Sequence, residues 1–148
     1  MPSKTLKIIA DFPEYKFVKG SKSFWLSPKK VIFYNSDEAE LLHEIAHAIL
    51  KHTDFTTDAD LIRKERAAWT KAKELALKYG VAITDAKIEK DLDSYRDWLH
   101  FKSTCPDCSQ NGVQSVDTLD YRCFACNTSW RVNHNQHKRV RRTKITPY

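Results

Sequence analysis

His43, Glu44 and His47 form HEIAH, an HExxH arrangement that puts two imidazoles and a carboxylate within five residues. On an α-helix, side chains four apart project from one face about one turn apart, so His43 and His47 can bind one zinc ion. Glu44 is rotated by about 100° from His43 and can face a water on the metal instead of entering the coordination sphere. Zinc so held lowers the pKa of that water and polarises a carbonyl, while Glu44 takes the proton and passes it to a leaving amine. These residue types at this spacing point to hydrolysis of a peptide bond.

A catalytic zinc usually has three protein ligands and one open position. Glu65 and His52 compete for the third place. Glu65 lies 18 positions after His47, with enough chain between for two antiparallel helices to bring it to the metal. It also falls on the apolar stripe Leu61, Glu65, Ala68, Ala72, Leu75, Tyr79, and a buried carboxylate needs a partner. His52 is five residues past His47, effectively about 140° around a continuing helix, and no Gly or Pro in Ala48–Lys51 offers an abrupt turn. Glu65 is therefore favoured, and His52 reads as a polar residue near a helix C-terminus, where positive charge is favourable.

A second set of ligand residues follows. Cys105-Pro-Asp-Cys108 and Cys123-Phe-Ala-Cys126 are two CxxC pairs separated by 14 residues. That spacing lets four thiolates close a tetrahedral structural zinc site. Val113–Val116 and Leu119–Arg122 can pair between them as strands, giving a zinc ribbon whose small core makes metal the driver of folding.

The elements that must position these groups are legible in outline. The first 35 residues read as short strands, Thr5–Ala10, Tyr15–Val18, Ser23–Leu26 and Val31–Tyr34, broken by Pro13, Gly20 and Pro28. Asn35 or Ser36 can cap a helix running through His52, with Asn35 and Glu38 resembling a capping box. Thr57 or Asp58 can start a second helix to Tyr79, and Gly80 suits the left-handed position after it. Thr84 can cap a third, 85–101, with Ile88, Leu92, Tyr95 and Leu99 inward. The expected fold class is α+β, a small antiparallel or mixed N-terminal sheet packed on three helices, followed by the ribbon and a basic tail. The corresponding domains are 1–103, 104–132 and 133–148, the last without periodicity and expected to be flexible.

The net charge of +6 is unevenly placed. Arg131, Lys138, Arg139, Arg141, Arg142 and Lys144 occur in the last 18 residues with no acid, and removing those six leaves 19 basic against 19 acidic side chains. The tail alone carries an electrostatic argument, for nucleic acid or for a solvated end. No apolar stretch approaches the roughly 20 residues that span a bilayer, and the start of the chain lacks a signal-peptide core. The expectation is a cytoplasmic protein with no membrane partner and, given the reducing compartment, metal-bound cysteines.

HEIAHAILKH followed by ERAAW resembles the gluzincin class of metallopeptidases, particularly the very small minigluzincins, and is also similar to bacterial ImmA/IrrE-type peptidases. The likeness covers roughly residues 5–100, including FWLSP and VIFYN ahead of the HExxH helix. It implies a zincin-like fold, a catalytic Zn²⁺ on His43, His47 and Glu65, Glu44 as general base, and a protein or peptide substrate. Peptidases of this kind bind an extended peptide along a sheet edge, for which Val31–Asn35 is the candidate. Tyr79, Tyr95 and His100 are open as oxyanion stabilisers. A weaker resemblance is to SprT-like proteases, which combine HExxH with a zinc ribbon and act on proteins attached to DNA. Their third ligand is a later histidine, whereas no histidine lies between His52 and His100 here. The reading from another class is a nucleic-acid-binding adaptor with a latent HExxH domain. In it, Tyr121, Phe124 and Trp130 beside the basic tail serve stacking and phosphate contact.

Overall fold

The computed structural model describes residues 3–53, 55–133 and 140–145. Within them the chain is α+β, with four α-helices and two small sheets. Two compact units emerge, one from residues 1–54 and 63–89, the other from 55–62 and 90–148. None of the described helices is long and apolar enough to cross a membrane.

In the first unit, α1 (Lys4–Ala10) is followed by β1 (Lys16–Lys19), β2 (Phe24–Leu26) and β3 (Val31–Tyr34). Thr5–Ala10, expected as a strand, is helical because Ser3 caps it, its side chain accepting from the Leu6 N–H at 3.2 Å. Only Ile8 of its apolar residues is buried; a single inward contact overrides the β preference of the Ile-Ile pair. The sheet order is β1-β3-β2, with β1 and β3 parallel and β2 and β3 antiparallel, so the sheet is mixed. Val31–Asn35 is therefore not an edge: β3 is paired on both sides, which makes β1 and β2 the edges.

Helix α2 (Glu38–Ile49) carries HEIAH. It starts two residues later than a cap at Asn35 predicts. The Asn35 side-chain Oδ1 accepts from the Asp37 N–H at 2.8 Å, and its Nδ2 donates to Glu40 Oε2 at 2.9 Å. That turn delivers Asp37 as the N-cap, accepting from Ala39 and Glu40 N–H. Leu41, Leu42, Ile45 and Ala46 are fully buried, as is Ile32 of β3.

The other end also departs from expectation. α2 stops at Ile49 rather than running through His52. Lys51 adopts φ 56°, its N–H bonds to the Ala48 carbonyl, and the His52 N–H bonds to the His47 carbonyl at 2.9 Å. This is the Schellman closure usually made with glycine. Lysine in the left-handed region costs roughly 1–2 kcal/mol, so the absence of Gly did not prevent the turn.

Helix α3 (Asp58–Tyr79) ends as expected at Gly80, φ 64°, with the Val81 N–H bonded to the Ala76 carbonyl. Leu61, Glu65, Ala68, Trp69, Ala72 and Ala76 are buried along it. α4 spans Asp85–Ser103, with Thr84 accepting from Lys87 N–H at 3.1 Å.

The second unit contains a four-stranded antiparallel sheet, β4 (Val113–Gln114), β5 (Tyr121–Arg122), β6 (Ser129–Val132) and β7 (Arg142–Lys144), in that order. Strand β7 falls in the segment expected to be an irregular basic tail. Trp130, Arg131 and Val132 pair with Lys144, Thr143 and Arg142, a long-range pairing that local periodicity cannot report. The core is Cys105, Tyr121, Cys123 and Trp130, with Leu99 packed against it. Gly112 lies so close that an added Cβ would stand 2.5 Å from the Trp130 ring and 2.6 Å from the Arg122 carbonyl.

A buried ion pair anchors this unit. Lys102 Nζ lies 2.9 Å from Asp58 Oδ1 and 4.1 Å from the Trp98 ring centroid, while the Tyr121 hydroxyl donates to Asp58 Oδ2 at 2.6 Å. Gln114 accepts from the Asp58 N–H, and the Trp130 indole donates to the Lys102 carbonyl, both at 2.8 Å. These bonds explain why the first turn of α3 and the second half of α4 group with the cysteine segment. Asp58→Ala strands a buried ammonium and is expected to destabilise this unit by about 3–5 kcal/mol, read as a shifted urea midpoint for the Trp130 environment.

Candidate metal centres

His43 and His47 project from the middle of α2, and Glu65 comes to them from α3. His43 Nε2 lies 2.9 Å from Glu65 Oε2, His47 Nε2 lies 3.1 Å from Glu65 Oε1, and the two Nε2 atoms are 3.1 Å apart. Ligands about 2.0 Å from a tetrahedral ion stand about 3.3 Å from one another, so this triangle is close to the size one divalent cation requires. The donor chemistry agrees. Two ring nitrogens and a carboxylate meeting at one point need a shared positive charge, and all three residues are buried. These residues could hold a metal ion.

The electrostatics bear on the roles. Burial alone would raise the Glu65 carboxyl, but hydrogen bonds from His43 and His47 outweigh it and bring its pKa to about 2. Glu65 is thus held ionised, as a ligand must be. Glu44 is shifted the opposite way. Burial raises it, His43 and His47 pull it down, Glu65 pushes it up, and the Trp25 backbone N–H gives it a hydrogen bond, with a raised pKa as the result. The two carboxylates that feel the same imidazoles are thus shifted in opposite directions, Glu65 down and Glu44 up.

His52 is not among the converging atoms. Its Nδ1 lies 2.8 Å from His47 Nδ1, the ring nitrogen turned away from Glu65. Its carbonyl accepts from the Trp25 indole at 3.0 Å. His52 therefore orients the His47 ring from behind and aims its Nε2 forward. From the sequence Glu65 is favoured over His52 as the third ligand, and this place behind His47 is not foreseeable there because it depends on the left-handed Lys51. Trp69 was also missed. Its ring stacks on His43 at 4.0 Å and 22°, and its place four residues after Glu65 on the same face of α3 was the available signal. His43 Nδ1 has no hydrogen-bond partner among the described residues, so flat packing on Trp69 is what confines that ring. Tyr79 is committed to Asp11, its hydroxyl donating at 2.6 Å. Tyr95 and His100 belong to the second unit.

The four cysteines also converge, their sulfur atoms all within 4.8 Å of one another. Cys105 and Cys126 are 3.6 Å apart and Cys108 and Cys123 3.4 Å; none is in a disulfide. The two CxxC turns are built alike. Cys105 N–H bonds to the Gln110 carbonyl and Ser109 N–H to the Cys105 carbonyl, just as Cys123 N–H bonds to Thr128 and Asn127 N–H to Cys123. Ser109 and Asn127, one residue past each pair, both have positive φ, 66° and 62°. The Thr128 hydroxyl and its backbone N–H lower the Cys126 thiol to about 6, whereas at Cys108 a Gln110 backbone hydrogen bond is outweighed by the neighbouring sulfurs and burial, which push it up to about 12. This cluster could hold a second metal ion.

The basic residues are dispersed. Arg131 pairs with Asp120 at 3.2 Å and Lys144 pairs with Asp107. Arg142 donates to the Thr104 carbonyl at 2.5 Å, and Arg141 is exposed. Lys138 and Arg139 lie outside the described residues. Compared with known protein families, with characterised proteins and with solved structures, the chain matches none.

Glu65→Ala removes a converging carboxylate, whereas His52→Ala removes only support behind one. The expected outcome is a loss of metal affinity for Glu65→Ala well beyond the roughly 10–100-fold typical of a supporting residue, with His52→Ala within that range. Competition with a chromogenic chelator, measured on protein with the cysteine cluster loaded, reads both.

Proposed function

We propose that the chain is a zinc-dependent peptidase with an accessory zinc ribbon. The observation carrying this reading is the convergence of His43, His47 and Glu65 on one point, with the perturbed carboxylate of Glu44 next to them on the same helix. Zinc is the ion that suits both donor sets, a two-histidine, one-carboxylate triangle and four thiolates. Bound at the triangle, zinc polarises a peptide carbonyl and acidifies water.

The protein's own residues supply the rest. His43, His47 and Glu65 would hold the ion as its three protein ligands. Glu44, whose raised pKa brings it nearer to working pH, accepts the proton of the attacking water and returns it to the amine as the bond breaks. Trp69 and His52 hold the two imidazoles. An extended substrate is assigned to β2 rather than β3. β2 is a sheet edge, and its Trp25 N–H reaches Glu44, so a peptide beside it lies next to the base. The zincin-like architecture belongs to this reading, as do a protein or peptide substrate and zinc as both cofactors.

Glu44→Gln removes the base and no ligand. It is expected to keep two zinc ions per chain by metal analysis while peptide cleavage falls by about 10²–10⁴-fold, the usual worth of a general base. Casein or a quenched fluorescent peptide serves as substrate. Wild-type rates in the variant at full metal loading would overturn the mechanism.

A further inference from the structure

Alternation along strands and pairing between them place Val113, Arg122, Ser129, Arg131 and Thr143 on one face of the second unit's sheet. Val113 stands opposite Arg122, Arg122 opposite Ser129, and Arg131 opposite Thr143. The other face carries Tyr121 and Trp130, which are buried and stacked at 5.7 Å. The first face is open. Val113 is 58% exposed and the Arg131 side chain 72%. Beside it Phe124 is 70% exposed, with the Arg122 guanidinium 5.6 Å from its ring centroid.

We propose that this face binds single-stranded nucleic acid. Its chemistry is that of a stacking platform: a flat aromatic ring and two planar guanidiniums with the short side chains Ser129 and Thr143 beside them. None of the five strand positions is acidic. Every base offers a π-face to such groups, and the backbone offers the compensating charge. The charge balance selects a polyanion. Residues 104–148 hold seven basic and three acidic side chains, and two of those acids, Asp107 and Asp120, are already paired with Lys144 and Arg131. The fourth strand matters for orientation. By turning Arg142 and Lys144 to the opposite face, where they meet Thr104 and Asp107, β7 leaves Thr143 beside Arg131 and keeps the platform shallow. Exposed Phe124 favours single strands, since bases inside a duplex are stacked on each other and cannot reach it.

The test uses the full-length, metal-loaded protein and a fluorescein-labelled 12-mer of thymidine, read by anisotropy across a salt series. Binding is expected with a log–log salt slope of about −1.4, for two phosphates contacted on a single strand by Arg122 and Arg131. Phe124→Ala is expected to weaken binding by about 5- to 150-fold, the range for losing one stacked base, with the slope unchanged. Arg122→Ala combined with Arg131→Ala is expected to flatten the slope by about 1.4. Metal content and circular dichroism check the fold, and because Phe124 is exposed its variant decides the question even if the double variant misfolds. Three results would overturn the proposal: a 12-base-pair duplex binding more tightly than the single strand, polyglutamate displacing the oligonucleotide as well as unlabelled thymidine 12-mer does, or Phe124→Ala leaving the affinity unchanged. None of these outcomes depends on peptidase activity, so this proposal and the reading of the HExxH site stand or fall separately.

Discussion

The burial of the Glu65 carboxylate between two imidazoles is the constraint on which the first unit turns. A lone ionised carboxylate in an apolar interior is expensive, so α3 can present Glu65 inward only if α2 presents His43 and His47 to meet it. Each feature around the site serves that meeting. Asp37 sets where α2 begins, Lys51 sets where it ends, and the chain that turns back at Lys51 carries His52 to the rear of His47. Trp69 lies on His43 one turn along from Glu65. With the rings fixed on both sides, their Nε2 atoms have one direction left.

The second unit also buries a carboxylate, and meets it with an ammonium and a hydroxyl. Asp58 is fully buried, and its partners are the ammonium of Lys102 and the hydroxyl of Tyr121. Burial lowers the Lys102 pKa while Asp58 raises it again, with burial the stronger influence. Such a pair adds little net stability over an apolar substitute, yet it is intolerant of losing one member. What it supplies is register: Lys102 also offers its carbonyl to Trp130, so α4, β5 and β6 are fixed to one another through hydrogen bonds that have directions, which apolar packing lacks. Asp58 and Glu65 are seven residues apart, two helical turns, and so lie on one side of α3. Both acids interrupt an apolar stripe, and each is matched by cations or by groups that gather around a cation.

That stripe is why much of the site was legible. An acid at an apolar position is a local signal, as are HExxH and paired CxxC, and each names its own chemistry without reference to distant chain. Helices α3 and α4 and strands β1 to β3 were legible for the same reason, periodicity bounded by turn residues. The failures have a common cause. α1 looked like a strand because Ile8 and Ile9 are β-branched, but its state is decided by one cap and one buried residue. β3 looked like an edge because chain order does not reveal that β2 folds back to pair with it. Asp58 resembled a helix cap, and nothing local distinguishes that from a buried anion whose partner is 44 residues away. β7 has no periodicity at all; it exists by pairing with β6.

The cysteine cluster shows how repetition in the backbone narrows the chemistry. Two disulfides would need sulfurs about 2.0 Å apart, and two independent loops would have no reason to share a conformation. Here each CxxC is followed by a residue at positive φ and closed by the same pair of backbone hydrogen bonds. The N–H groups of such turns point back toward the sulfurs, as the Asp107 N–H does toward Cys105 at 3.4 Å. The four sulfur atoms so gathered lie within 4.8 Å of one another, a donor set that could hold a metal ion. The apolar core beneath is small, four residues with Gly112 pressed against Trp130. A cluster of that size offsets little of the ordering of its loops by burial alone, so the sheet that carries Arg122 and Arg131 also relies on the buried Asp58, Lys102 and Tyr121 contacts.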